Sequence, residues 1–86
     1  MKIEILGPGC SRCRTTEQNV RDALQQLHTE AVVDHVYDPR EYARRGVLST
    51  PAVLIDGVIR VSGKIPSVDE LKTWIQAVNE SAYIHG

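Results

Sequence analysis

Cys10 and Cys13 stand in a Gly7-Pro8-Gly9-Cys10-Ser11-Arg12-Cys13 run that follows an apolar opening to the chain. Two thiols at this spacing suit two-electron chemistry if they open a helix. A helix start offers unpaired backbone N–H groups and the positive end of the macrodipole, and both favour a thiolate. One turn then brings the second sulfur onto the same face, with Cβ atoms about 5–6 Å apart, near the reach of a disulfide. Cys10, nearer the helix start, reads as the nucleophile that forms a mixed disulfide, and Cys13 as the resolving thiol. The pair has two other uses. Free cysteine packs well in a core. Alternatively, two thiols from each of two chains could hold zinc or an iron–sulfur cluster, since a tetrahedral site needs four ligands.

The remaining chemistry-bearing residues are scattered. Arg12 and Arg14 flank the second cysteine, where a guanidinium can stabilise a thiolate or offer a docking charge; Arg14 reads as a solvated side chain. Glu4, six residues before Cys10, has two readings: a buried carboxylate able to act as a base, or an outward residue, like Lys2, on an alternating strand. The second is the expectation. His28, His35 and His85 lack ligand spacing to the cysteines. Lys64 reads as exposed.

Length and charge bound the answer. The 86 residues with 42% hydrophobic content suit one small globular domain over 1–86. A net charge of -1 offers no attraction for nucleic acid or an anionic membrane. No apolar run reaches the length of a membrane span. The N-terminus lacks a basic region followed by an apolar one, so no signal peptide is expected and the cytoplasm is the expected compartment. In a reducing compartment a lone Cys-x-x-Cys serves redox or metal chemistry more often than stapling.

The elements that must position the pair follow from pattern. Residues 3–6 form a short buried strand broken by Gly7-Pro8-Gly9. A helix starts at Cys10 or Ser11 and reaches about His28, with Val20, Ala23, Leu24 and Leu27 as its apolar stripe. Residues 31–37 read as a second strand. Asp38-Pro39-Arg40-Glu41 predicts a helix start, with Asp38 capping, Pro39 in the first position and Glu41 reaching back; Gly46 ends that helix. Residues 52–55 and 58–61 form a hairpin across Asp56-Gly57, a type I′ signal. Ser67-Val68-Asp69-Glu70 is a capping box opening a last helix with Leu71, Trp74, Ile75 and Val78 on one side, and residues after Asn79 read as a tail. The order β-α-β-α-β-β-α predicts an α/β fold, a mixed four-stranded sheet with helices on both faces.

This order, with Cys-x-x-Cys opening the first helix and Thr50-Pro51 opening the third strand, resembles the thioredoxin fold. More narrowly it resembles the small thioredoxin- or glutaredoxin-like proteins called redox-active disulfide protein 2. The matching stretches are residues 7–13, Asn19-Val20, residues 46–57 (Gly-Val-Leu-Ser-Thr-Pro-Ala-Val-Leu-Ile-Asp-Gly) and residues 61–67. The resemblance implies a dithiol–disulfide oxidoreductase or electron carrier that needs no organic cofactor. It implies a cis peptide before Pro51, with that loop facing the cysteines and the Thr50 backbone pairing with a bound substrate strand. Arg12 and Gly63 are expected to join Thr50 and Pro51 in contacting substrate. A protein disulfide is the expected substrate and a thioredoxin-reductase-like flavoprotein, or a related carrier, the expected electron donor; the chain is expected to be a monomer. Three departures from the relatives stand out. Gly9 replaces the aromatic that precedes the first cysteine in ordinary thioredoxins. The Gly-Gly-acid pattern that holds glutathione in glutaredoxins is replaced by Ser62-Gly63-Lys64. Thr16 stands where an apolar residue is usual, which implies looser packing there.

Overall fold

The computed structural model describes residues 1–9 and 11–85, with side chains described as far as Asn79. Cys10, the expected nucleophile, and the His85 side chain therefore lie outside the described residues. The elements are β1 (Lys2–Leu6), α1 (Ser11–Gln26), β2 (Val32–Val36), α2 (Pro39–Arg44), β3 (Ala52–Ile55), β4 (Val58–Ser62) and α3 (Val68–His85). The strands form one sheet in the order β2-β1-β3-β4, with β1 parallel to β2 and antiparallel to β3, and β3 antiparallel to β4. The mixed four-stranded sheet read from the pattern is the one observed.

Local signals explain most boundaries. Asp56 and Gly57 both take positive φ, 49° and 83°, as a type I′ turn requires. At α3 the Ser67 hydroxyl accepts from the Glu70 amide and the Glu70 carboxylate accepts from the Ser67 amide, a closed capping box. At α1 the chain leaves the helix through His28, whose φ is 52°. There the Thr29 amide donates back to the Leu24 carbonyl, satisfying an orphan acceptor of the last turn.

Three expectations change. Asp38 caps α2 by accepting from the Arg40 amide, but Glu41 does not reach back, because Arg44 and Arg45, one turn on, take its carboxylate. The backbone after Asn79 continues as helix to His85; Glu80-Ser81-Ala82-Tyr83 contains no residue that stops a helix. Thr16 is fully buried and its hydroxyl donates to the Arg12 carbonyl, 2.9 Å away. The helix itself thus satisfies the hydroxyl, and no looser packing is needed to accommodate it.

The core has two parts, one on each face. Ile3, Ile5, Val53, Ile55 and Val61 of the sheet pack with Val20, Ala23 and Leu24 of α1 and Leu71 and Ile75 of α3. Trp74 and Val78 complete that face as half-buried residues. On the other face Leu6, Ala52 and Leu54 pack with Val47, and Tyr42 of α2 covers them. Alternation along β1 assigns Ile3 and Ile5 to one face, and Glu4 and Leu6 to the other. Glu4 is therefore not an outward residue: it is 7% exposed, and its Oε2 accepts from Arg45 Nη2 at 2.7 Å and Nε at 3.0 Å. Lys2, at the strand's start, is exposed as expected. Among the described residues no helix is long and apolar enough to cross a membrane.

Candidate active site

The site forms where β1 ends. Gly7 is buried, and its amide donates to the Val36 carbonyl of β2. Its lack of a side chain is a matter of space. The point a Gly7 Cβ would occupy is filled by the Sγ of Cys13 and lies 3.9 Å from the Cα of Pro51. Cys13, in the first turn of α1, is fully buried. The turn before α1 and the start of β3 thus meet around one sulfur. Gly9, by contrast, is a glycine for conformation: its φ is +82°.

The peptide between Thr50 and Pro51 is cis. Pro51 is buried and Thr50 half-buried. The loop is held from the far end of β4: the Gly63 amide donates to the Pro51 carbonyl at 2.9 Å and the Ser62 hydroxyl to the Ser49 carbonyl at 2.8 Å. Gly63 has φ +86°, and a Cβ there would stand 3.0 Å from Ser49 Cβ. Arg12 closes the ring, its Nη2 donating to the Gly63 carbonyl at 3.2 Å. The structure therefore gathers Arg12, Cys13, Thr50, Pro51 and Gly63 at one end of the sheet. Arg14 is exposed. Lys64 is 66% exposed and faces Glu70. Leu48, two residues before Thr50, is 98% exposed.

Sequence reasoning did not bring His35, Glu17, Tyr37 or Tyr42 to this place. His35 pairs in register with Ile5, so parallel strands carry it to the same end as the cysteine turn. Its Nε2 lies 3.2 Å from the Gly7 carbonyl and its Nδ1 3.2 Å from Glu17 Oε1. Tyr37 stacks on the His35 ring at 4.2 Å and reaches the Gly9 turn. On the opposite face the Tyr42 hydroxyl is buried without a hydrogen bond, and the nearby Gly7 amide is already spent on Val36. Burial, chiefly, and then the charge of Cys13 and of Asp38 push the Tyr42 hydroxyl above the ordinary tyrosine value of 10.0, against the Gly7 amide, which favours the phenolate. The legible signal was the parallel pairing itself: residues at the end of β2 must flank the turn that leaves β1. Among the described residues no three His, Cys, Asp or Glu side chains gather as metal donors.

A strand-turn-helix bearing a buried cysteine against a cis-proline loop defines a thiol-redox class of site, and comparison with known proteins agrees. Residues 1–76 match the thioredoxin domain model. The chain is 41% identical over 78 residues to a thioredoxin of Methanocaldococcus jannaschii, covering 91% of this chain and 90% of that one. It is 31% identical over 72 residues to a thioredoxin of Methanothermobacter thermautotrophicus, covering 84% and 94%. The fold superposes on thioredoxin 1 of Thermosipho africanus with a TM-score of 0.65 at 22% identity, over 96% and 99% of the two chains. The chain belongs to the thioredoxin family, and it is a thiol–disulfide oxidoreductase.

Proposed function

We propose that the chain reduces protein disulfides through Cys10 and Cys13. The Cys10 thiolate attacks one sulfur of the substrate disulfide. That S–S bond breaks, the first substrate thiolate leaves and takes a proton from solvent, and a mixed disulfide remains. The Cys13 thiolate then attacks Cys10 Sγ, expelling the second substrate thiolate and closing Cys10–Cys13. Two electrons have passed to the substrate, and the oxidised pair is recycled by a thioredoxin-reductase-like flavoprotein or a related dithiol carrier.

The observation that carries this reading is the seat of Cys13, buried against Gly7 and beside Pro51. A resolving thiol needs to be shielded from external disulfides and still within reach of its partner one turn away. The half-buried Thr50 offers its backbone to an extended substrate segment, and exposed Leu48 offers apolar surface next to it. Arg12 and Gly63 border the same rim.

Cysteine replacement tests it. Cys10→Ser is expected to abolish disulfide reduction, and Cys13→Ser to accumulate mixed disulfides with substrate. Unchanged turnover in both variants would contradict the proposal.

A further inference from the structure

His35 makes two contacts that a neutral imidazole cannot both satisfy. The Gly7 carbonyl on Nε2 can only accept. Glu17 on Nδ1 is a carboxylate whose other oxygen accepts from Arg21 Nε at 3.3 Å. A neutral ring carries one N–H and one lone pair, so one of these oxygens would face a lone pair. The imidazolium donates to both. The ring is fixed in this position, because its side chain is only 10% exposed and Tyr37 lies flat on it with planes 8° apart. The Gly7 whose carbonyl it holds is the residue whose missing Cβ makes room for Cys13 Sγ.

We propose that His35 is a positioning residue of the dithiol site: as the imidazolium it pins the Gly7 turn through Nε2, is anchored by Glu17 through Nδ1, and sets a positive charge beside the glycine against which Cys13 Sγ rests. The groups facing the ring are Glu17 and, behind it, Arg21 on α1, with Tyr37 beyond the end of β2; on β1 the neighbour is the neutral Ile5. Glu17 fixes where the proton sits. With the ring protonated, His35, Glu17 and Arg21 together carry one positive charge, which favours thiolate over thiol at Cys13. Deprotonation of the ring leaves one acceptor unpaired, loosens the turn and withdraws the charge.

This inference rests on the dithiol reading, and the test separates the two. Iodoacetamide alkylation of the fully reduced protein is followed across the range from about pH 5 to about pH 9 for the wild type, His35→Gln and Glu17→Gln, with circular dichroism to establish that each is folded. His35→Gln is expected to react about 3- to 10-fold more slowly than wild type near pH 6, the order of effect that loss of one positive charge near a thiol brings, and the ratio is expected to fall towards one near the alkaline end. Glu17→Gln is expected to give a smaller loss of the same shape. A folded His35→Gln protein with the wild-type profile throughout overturns the role of His35 and leaves the dithiol reading standing. Wild-type protein whose thiols form no reversible disulfide overturns the dithiol reading itself. Nitrogen NMR of the wild-type ring needs no variant. Protons on both His35 nitrogens near pH 6 support the proposal, and a single neutral tautomer there overturns it.

Discussion

The sulfur of Cys13 occupies the space that a side chain on Gly7 would fill. Gly7 is not among the glycines with positive φ, so its requirement is volume alone. Gly7→Ala must displace either a buried sulfur or the turn that supports it. Overpacking of this kind costs about 1–3 kcal/mol, which in a chain of this size lowers Tm by roughly 4–8 °C per kcal/mol. Thermal unfolding by circular dichroism measures the shift, and the variant is also expected to slow disulfide closure.

Gly63 carries two constraints at once, a left-handed backbone and the proximity of Ser49. Gly63→Ala is expected to destabilise the protein by about 1–3 kcal/mol and to loosen the Pro51 loop that its amide holds. Arg12→Ala removes only an exposed hydrogen bond to the Gly63 carbonyl. Its expected signature is a raised KM for a protein disulfide with Tm nearly unchanged. A fall in Tm matching that of Gly63→Ala would instead assign Arg12 to the structure of the loop.

The acid limb of stability should involve α2. The Arg45 hydrogen bond, first, holds Glu41 below its ordinary value of 4.5, and Arg40 likewise lowers Asp38. A carboxylate with a depressed folded-state pKa contributes stability above its unfolded value, and that contribution is lost as pH falls through the folded value. Stability is therefore expected to fall as pH drops below about 4.5, and Glu41→Gln to flatten that limb. Urea unfolding of both proteins at a series of acid pH values checks this. Parallel curves would contradict it.

Tyr42 offers a test with the opposite sign. Its buried hydroxyl has no hydrogen bond, so Tyr42→Phe removes a desolvated polar atom without removing a bond. Stability is expected to be unchanged or to rise by about 1 kcal/mol. Ultraviolet titration is expected to lose, in this variant, the component that burial raises above the ordinary tyrosine value. A loss of several kcal/mol would mean that the hydroxyl is bonded after all.

What could be read in advance was local. Ser67 and Glu70, Asp56 and Gly57, and Asp38 with Pro39 each act within one turn, so their residue types carry the geometry with them. Cys13 and Thr50-Pro51 were legible through the family pattern around them. Glu4, His35 and Tyr42 were not, because what they touch depends on strand register and on which face α2 covers. His35 meets Gly7 only because β1 and β2 run parallel with Ile5 opposite His35. Glu4 meets Arg45 across 41 residues of sequence. Glu41 departs from its expected contact for a related reason: its reach-back to the cap was sound locally, but Arg45 bonds both Glu41 and Glu4 and holds it elsewhere.

The most direct test of the central claim is the reduction potential of the Cys10–Cys13 couple. Metal-free protein is equilibrated in thiol buffers of defined potential and its thiols are counted. A reversible two-electron transition at a reducing value, near the −270 mV or so of thioredoxin, is the expected result. Failure to form any reversible disulfide between these two cysteines would contradict it.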